Sequence, residues 1–284
     1  AARTAAGEPA CAVDDAGEFY VRPRKAIPVP PSSQRIKVLS CGDPAVGKSC
    51  LIKRFCESRF VSAHIPTVGL DFGVANVKIK HVPIKVNYYD LAGPAEYAAV
   101  RAEFYADTAA LLLVFDVTNR ASFNALPRWL DEASDARAAA AVVVCGNKAD
   151  LPRRQVSQAE ARLWCESRGF YYFDTSAKDG DNVIEAFAKL HAVGLATAVD
   201  GQAAPAAAPT FSQADVDTID RVLGAETDAA RLGVSLSASK EEITKAFRGL
   251  ATAVHPDKNR APGADEAFKS IIQARSSLMA RANR

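Results

Sequence analysis

The sequence predicts an α/β protein with a doubly wound, mostly parallel sheet, followed by a small all-α domain. Between residues 35 and 195, short apolar runs alternate with amphipathic segments, the pattern of strands alternating with helices. A glycine-rich G-x-x-x-x-G-K-S motif directly follows the first of these runs. After Leu195 an Ala/Pro-rich stretch separates this region from a C-terminal part with helical periodicity. These observations predict two domains of different class.

The predicted elements of the first domain follow from its apolar runs. Residues 1–34 end in a proline-rich run and are predicted to be a disordered tail. Two continuous apolar runs are typical of strands buried on both faces. Strands are predicted at residues 36–40, 82–90, 111–117, 141–147 and 170–177, and helices at 50–60, 161–169 and 182–192.

The remaining chain is predicted to comprise a linker and a helical domain. Residues 196–227 begin with an Ala/Pro-rich stretch and are interpreted as a semi-rigid linker. Residues 228–284 contain two segments with apolar stripes at helical spacing, around one short loop. The second domain is therefore predicted to occupy residues 228–284.

Composition excludes several classes of function. A net charge of +2 gives no electrostatic reason to expect a nucleic-acid partner. The six cysteines form no C-x-x-C pair, which favours reduced thiols and a cytoplasmic or nuclear protein. No apolar run reaches the about 20 residues that a membrane-spanning helix needs. No cysteine follows Cys165, so a direct prenyl anchor is not expected.

The glycine-rich motif, Gly42 to Ser49, predicts a phosphate-binding loop because it lies between a strand and a helix. Its glycines let backbone N–H groups surround phosphate oxygens. Lys48 is expected to reach the outer phosphates, and the Ser49 hydroxyl to bind Mg²⁺. The residues predicted to contact phosphate in this loop are Asp43, Ala45, Val46, Gly47, Lys48, Ser49 and Cys50.

Two further motifs predict that the bound base is guanine. Asn147, Lys148 and Asp150 form an N-K-x-D sequence at the end of a buried strand, where ligands meet a doubly wound sheet. The Asp150 carboxylate can accept from guanine N1–H and N2–H₂, which adenine lacks, so an ATP-using kinase is disfavoured. The next strand is followed by the other residues predicted to complete the base pocket, Ser176, Ala177 and Lys178.

With these motifs, residues 35–195 resemble a Ras-superfamily small GTPase, closest to the Rab branch. The resemblance implies that Phe60 packs on the guanine and that Asp90 holds Mg²⁺ through water. It also implies that Thr67 binds Mg²⁺ only when the third phosphate is present, and that the Gly93 N–H contacts that phosphate. Thr67 and Gly93 would then order two loops in the GTP state.

Pro94 occupies the position where this family usually has a glutamine that orients the attacking water. Proline offers neither a side-chain donor nor an acceptor, so GTP hydrolysis is expected to be slow or absent. Pro44 inside the phosphate loop would crowd a catalytic arginine supplied by a partner. Glu96 is an alternative carboxylate that could turn inward and orient water instead. Whether the chain is an enzyme stays open at this point.

The C-terminal segment resembles a J domain, the module that docks on 70-kDa heat-shock chaperones and stimulates their ATPase. The resemblance rests on His255, Pro256 and Asp257 in a loop between two amphipathic helices. It implies that this loop and the cations Lys245 and Arg248 on the preceding helix contact the chaperone.

The combined chain resembles the Rab-like proteins that carry a J domain. The resemblance implies a guanine-nucleotide switch whose GTP form selects an unidentified effector and whose J domain recruits a chaperone. The alternative is a co-chaperone whose nucleotide domain is a static, GTP-filled scaffold. An association with cilia or flagella is a further expectation from the resemblance.

Overall fold

The computed structural model describes residues 11–13, 19–21, 34–62, 66–79, 82–134, 140–200, 211–256, 259 and 261–282. It divides into two compact units, Ala1–Ala204 and Pro205–Arg284. Each unit is described by itself. Asp257, one of the three residues of the predicted docking loop, lies outside the described residues.

The first two strands lie in the segment predicted to be a disordered tail. β1 (Cys11–Val13) pairs antiparallel with β2 (Phe19–Val21), Cys11 opposite Val21. The prediction of disorder over residues 1–34 is therefore wrong for these two strands. Proline-rich composition opposes regular structure only where the prolines lie, and both strands precede the proline-rich run.

The main sheet of the first unit has six strands and confirms the predicted fold class. The strands are β3 (Arg35–Cys41), β4 (Leu70–Ile79), β5 (Val82–Leu91), β6 (Ala110–Asp116), β7 (Ala141–Asn147) and β8 (Tyr171–Asp174). Their order is β4-β5-β3-β6-β7-β8, with β4 antiparallel to β5 and every other pair parallel. The carboxyl ends of the five parallel strands therefore meet at one edge of the sheet.

Helices cover this sheet and begin where capping residues allow. They are α1 (Lys48–Glu57), α2 (Ala98–Ala102), α3 (Arg120–Asn124), α4 (Leu126–Glu132), α5 (Gln158–Glu166) and α6 (Val183–Asp200). The side chains of Asn119 and Ser157 cap α3 and α5 by accepting from the backbone N–H groups of Ala121 and Glu160. β6 and β7 are buried along nearly their whole length. Both faces of these strands are covered, which is why their sequences are continuous apolar runs.

A buried histidine lies in the core beneath α6. His191 is fully buried, and its Nε2 is hydrogen-bonded to the Tyr88 hydroxyl. The rings of Phe55 and Phe187 stack beside it with centroids 4.5 Å apart. Burial lowers the pKa of His191 to about 3, so the imidazole is neutral at physiological pH.

The second unit is helical, as predicted, but it begins earlier than predicted. Its helices are α7 (Gln213–Gly224), α8 (Asp228–Leu232), α9 (Lys240–Ala253) and α10 (Ala264–Ala282). The predicted linker over residues 196–227 is wrong for α7, which begins with a capping box between Ser212 and Asp215. The linker prediction also fails at its start, since α6 continues to Asp200.

The core of the second unit lies between α9 and α10. Ile243 and Phe247 of the predicted apolar stripe are buried, as are Phe268 and Ile271 on α10. The Arg275 guanidinium lies over the Phe247 ring, 4.8 Å from its centroid. Across both units, none of the described helices combines the length and apolar character needed to cross a membrane.

Candidate functional site

The predicted phosphate loop joins the end of β3 to the start of α1. The Lys48 ammonium lies across this loop and donates to the carbonyl oxygens of Gly42 (2.8 Å) and Asp43 (3.0 Å). Desolvation lowers the pKa of Lys48, and the nearby Asp90 carboxylate opposes that shift. Because α1 begins at Lys48, the N–H groups of its first turn, including Ser49 and Cys50, have no acceptor within the helix. An anion placed there meets donors and a positive charge together.

The loop closes so tightly that two of its positions require glycine. Gly42 and Gly47 have φ values of 144° and 98°, and Ala45 also lies in the left-handed region at 61°. A β-carbon at Gly47 would overlap the side-chain nitrogen of Asn147, and one at Gly42 would overlap the carbonyl oxygen of Val114. The glycines of the motif therefore permit close packing against β6 and β7.

The three residues predicted to bind Mg²⁺ converge although they are distant in sequence. Ser49 Oγ lies 3.0 Å from Thr67 Oγ1 and donates to Asp90 Oδ2. Asp90 is buried, and its other carboxylate oxygen accepts from Ser40 Oγ at 3.2 Å. Burial raises the pKa of Asp90, an effect that Lys48 and Ser49 oppose. Two hydroxyls and one buried carboxylate are oxygen ligands of the kind that Mg²⁺ takes, so these residues fit the ion.

The loop after β5 packs directly on the phosphate loop. A β-carbon at Gly93 would overlap the backbone nitrogen of Pro44 and lie 2.8 Å from the Asp43 carbonyl carbon. Pro94 follows with φ −59° and ψ 143° and precedes a 3-10 turn at Ala95–Tyr97. Glu96, the alternative water-orienting carboxylate, is exposed in this turn. The structure therefore places Gly93 at the phosphate loop and leaves Glu96 facing solvent.

Asn147 links the phosphate loop to the predicted base-binding loop. Its Nδ2 donates to the Val46 carbonyl at 2.8 Å, and its Oδ1 accepts from the Ala177 backbone N–H at 3.1 Å. Asp150 accepts from Ser176 Oγ at 2.8 Å, and its side chain is only 7% exposed. Asp150 is thus held beside the turn that follows β8.

The other predicted base residues have different surroundings. Lys178 Nζ lies 3.8 Å from Asp150 Oδ2 and is largely exposed. Lys148, with φ 65°, pairs with Asp116 Oδ2 at 2.6 Å. Phe60 follows α1 and is 36% exposed, and no hydrogen bond or ring contact joins it to the base residues in the described part of the chain.

Four residues that support the site were not predicted from the sequence. Arg54 Nε donates to the Ala177 carbonyl at 2.7 Å, which ties α1 to the base-binding loop. Trp129 Nε1 and Arg128 Nη2 both donate to Asp43 Oδ1 at 2.8 Å. Asp116 pairs with Lys148 as described above. No short motif contains these residues, because their partners lie in distant parts of the chain.

In the second unit, the predicted docking loop follows α9. The His255 ring packs edge-on against Phe268 with centroids 5.2 Å apart, and Pro256 is buried. Asn259 stabilises the loop, since its N–H donates to the His255 carbonyl at 2.7 Å and its side chain to the Ala253 carbonyl at 2.8 Å. Lys245 and Arg248 are exposed on α9, as a docking surface requires.

Comparison with known families assigns a class to each unit. The Ras family model matches residues 37–194, and the DnaJ domain model matches residues 230–284. The chain therefore belongs to the Ras family and carries a DnaJ domain after its Ras-family domain.

Known proteins are similar to this chain over most of its length. The chain is 43% identical to DnaJ homolog subfamily C member 27 of Danio rerio over 256 residues, which cover 87% of this chain and 94% of the relative. The Homo sapiens protein of the same name is 41% identical over 259 residues, covering 88% and 95%. The predicted pairing of a Ras-like domain with a J domain is thereby confirmed.

Proposed function

We propose that this chain is a guanine-nucleotide switch with slow or absent intrinsic GTP hydrolysis, whose J domain recruits and stimulates a 70-kDa heat-shock chaperone. The observation that carries the nucleotide part is the Asn147 bridge, which ties the phosphate loop to the loop after β8, where Ser176 donates to the Asp150 carboxylate. Mass identification of nucleotide extracted from purified protein tests this part. Recovery of GTP or GDP supports it, and recovery of ATP refutes it.

Different residues of the candidate site would contact the phosphates, the base and the Mg²⁺ ion. Lys48 and the first turn of α1 hold phosphate oxygens, and Asp150 accepts from the guanine edge. Ser49, Thr67 and Asp90 would hold Mg²⁺, which neutralises charge on the phosphates when bound. Thr67 would be a ligand of the ion only in the GTP state, and that contact would order the chain around Thr67.

Slow hydrolysis follows from the residue beside Gly93. Pro94 cannot orient a water, and Glu96 is exposed on the adjacent turn. Single-turnover hydrolysis of bound GTP is expected to accelerate in Pro94→Gln. A Glu96→Gln variant is the matched control, and it should leave the rate unchanged. An unchanged rate in Pro94→Gln, or a slower rate in the control, would contradict this assignment.

Chaperone stimulation is assigned to His255, Pro256 and Asp257 with Lys245 and Arg248. Steady-state ATPase assays with a purified 70-kDa chaperone test it, with the full chain as the stimulating partner. His255→Gln should abolish the stimulation, and a Lys245→Gln, Arg248→Gln double variant should weaken it. Lys269→Gln, which removes an exposed charge from α10, is the control and should stimulate normally.

The second candidate function is a co-chaperone with a static, GTP-filled scaffold domain. Pro94 favours long residence in the GTP state and is compatible with both candidates. Pull-down of a partner with GDP-loaded and GTP-analogue-loaded protein separates them. Preference for the analogue form supports a switch with an effector, and equal capture supports the scaffold.

A further inference from the structure

One buried arginine holds the loop that flanks Gly93. Arg101 on α2 is 2% exposed, and its Nη1 donates to the carbonyl oxygens of Ala92 (2.9 Å) and Pro94 (2.7 Å). The two carbonyls lie on either side of Gly93. A single guanidinium nitrogen therefore fixes both peptide groups around the residue expected to contact the terminal phosphate.

Arg101 is itself held by the end of α4. Its Nε and Nη2 donate to the two carboxylate oxygens of Glu132 at 2.5 and 2.9 Å. The Tyr105 hydroxyl donates to the same carboxylate at 2.8 Å. The guanidinium also lies over the Trp129 ring, 4.8 Å from its centroid. A bidentate, largely buried pair with an aromatic contact has few alternative positions.

The same helix also holds the phosphate loop. Trp129 Nε1 donates to Asp43, and the backbone of Pro44 lies against Gly93. Moving Ala92–Pro94 would break two charge-assisted hydrogen bonds and leave a buried guanidinium without its carbonyl acceptors. Thr67, by contrast, is tied to the site through the Ser49 hydroxyl at 3.0 Å.

We propose that Arg101 is a positioning residue that keeps Ala92–Pro94 against the phosphate loop in both the GDP and the GTP state. The response to the terminal phosphate is then confined to the chain around Thr67. This inference rests on the proposed nucleotide binding and narrows it, since one of the two loops expected to change order is held fixed.

Hydrogen exchange of the full chain, loaded with GDP or with a non-hydrolysable GTP analogue and Mg²⁺, tests the proposal. The amides of residues 95–102 should exchange within about twofold of each other in the two states, whereas those of residues 66–72 should slow in the GTP-analogue state. The Gly93 amide is left out, because a phosphate oxygen would protect it directly. A tenfold or larger difference at residues 95–102 overturns the inference.

Variants then show whether Arg101 is responsible. Arg101→Met with Glu132→Gln removes both charges, so no unpaired ion stays buried. Exchange at residues 95–102 of its GDP form should accelerate about tenfold or more, and Arg101→Lys should restore part of the protection. The matched control is Arg154→Met with Asp174→Asn, which removes another arginine–carboxylate pair, joined at 2.8 Å.

The outcomes separate the inference from the proposed function. If amide exchange at residues 95–102 accelerates equally in the Arg101/Glu132 variant and in the Arg154/Asp174 control, the cause is general destabilisation. That result would overturn the inference. The wild-type comparison between nucleotides decides the matter even if the double variant does not fold. A chain that retains neither nucleotide overturns the proposed function and the inference together. If the chain retains both nucleotides but exchange at residues 95–102 differs tenfold or more between the two states, only the inference is overturned.

Discussion

His191 couples the stability of the Ras-family domain to pH. The ring is fully buried beside Phe55 and Phe187, and burial lowers its pKa from 6.5 to about 3. The unfolded chain therefore binds one more proton than the folded chain between these two values. The contribution of the neutral ring to the free energy of unfolding is fully present above pH 6.5. It decreases as the pH falls and is lost by about pH 3.

The size of the effect follows from the two pKa values. Each pH unit inside this window is worth about 1.4 kcal/mol at most. Because the unfolded-state histidine is only partly protonated near its own pKa, the expected loss between pH 7 and pH 5 is about 2 kcal/mol. A domain of this size should then lose roughly 4–8 °C in Tm over the same interval.

Tryptophan fluorescence isolates this domain, since both tryptophans, Trp129 and Trp164, belong to it. In the wild type, the free energy of unfolding measured with urea at pH 7, 6 and 5 should fall by about 2 kcal/mol between pH 7 and pH 5. His191→Gln is the comparison variant, because its amide oxygen accepts from the Tyr88 hydroxyl without titrating. Subtracting the variant's pH dependence of the unfolding free energy from that of the wild type removes the contributions of carboxylates such as Asp90. If the two proteins show the same pH dependence, protonation of His191 is not the cause.

Three further predictions concern the two sites and the second core. Gly93→Ala should weaken binding of fluorescent GDP and GTP analogues at least tenfold, because its β-carbon overlaps Pro44; unchanged affinity would contradict the close packing. Asp150→Asn should weaken guanine nucleotides about 10- to 100-fold in calorimetric titrations, and xanthosine nucleotides, which carry a carbonyl at that edge, should recover binding. If Asp150→Asn loses affinity for guanine nucleotides but gains none for xanthosine nucleotides, the base does not contact Asp150. Phe247→Ala should destabilise the DnaJ domain by about 3–5 kcal/mol, seen as lost far-UV helix signal with unchanged tryptophan fluorescence.

The sequence predicted the buried strands of the main sheet but not β4, one of its two edge strands. β6 and β7 are continuous apolar runs because both their faces are covered. β4 contains Asp71, Gly73 and Asn76 and is only partly buried, so it lacks both a continuous apolar run and clear alternation. Its ten-residue pairing with β5 comes from the neighbouring strand's backbone, which local sequence does not reveal.

The start of α7 carries a signal in the sequence. Ser212 and Asp215 form a capping box, a pattern visible in the sequence directly after the Ala/Pro stretch. The low-complexity composition of the preceding residues led to a linker prediction that extended too far. Capping residues were better indicators of the domain boundary here than composition.

Sequence motifs pointed to the residues of the candidate site but not to the residues that hold them in place. Lys48, Asp90 and Asp150 lie where strand ends meet, and topology alone brings them together. Trp129 and Glu132 carry no motif, and their roles depend on which helix packs beside the phosphate loop. Such contacts require tertiary structure, so the sequence could not predict them. The cellular location of the chain stays a prediction.

The Asn147 bridge couples the two loops of the candidate site. Its two hydrogen bonds, to Val46 and Ala177, set the separation between the phosphate end and the purine end. Breaking either hydrogen bond would leave a polar group of the buried Asn147 amide without its partner, so separating the two loops costs free energy. A substitution at Asn147 is therefore expected to loosen the phosphate loop and the loop after β8 together.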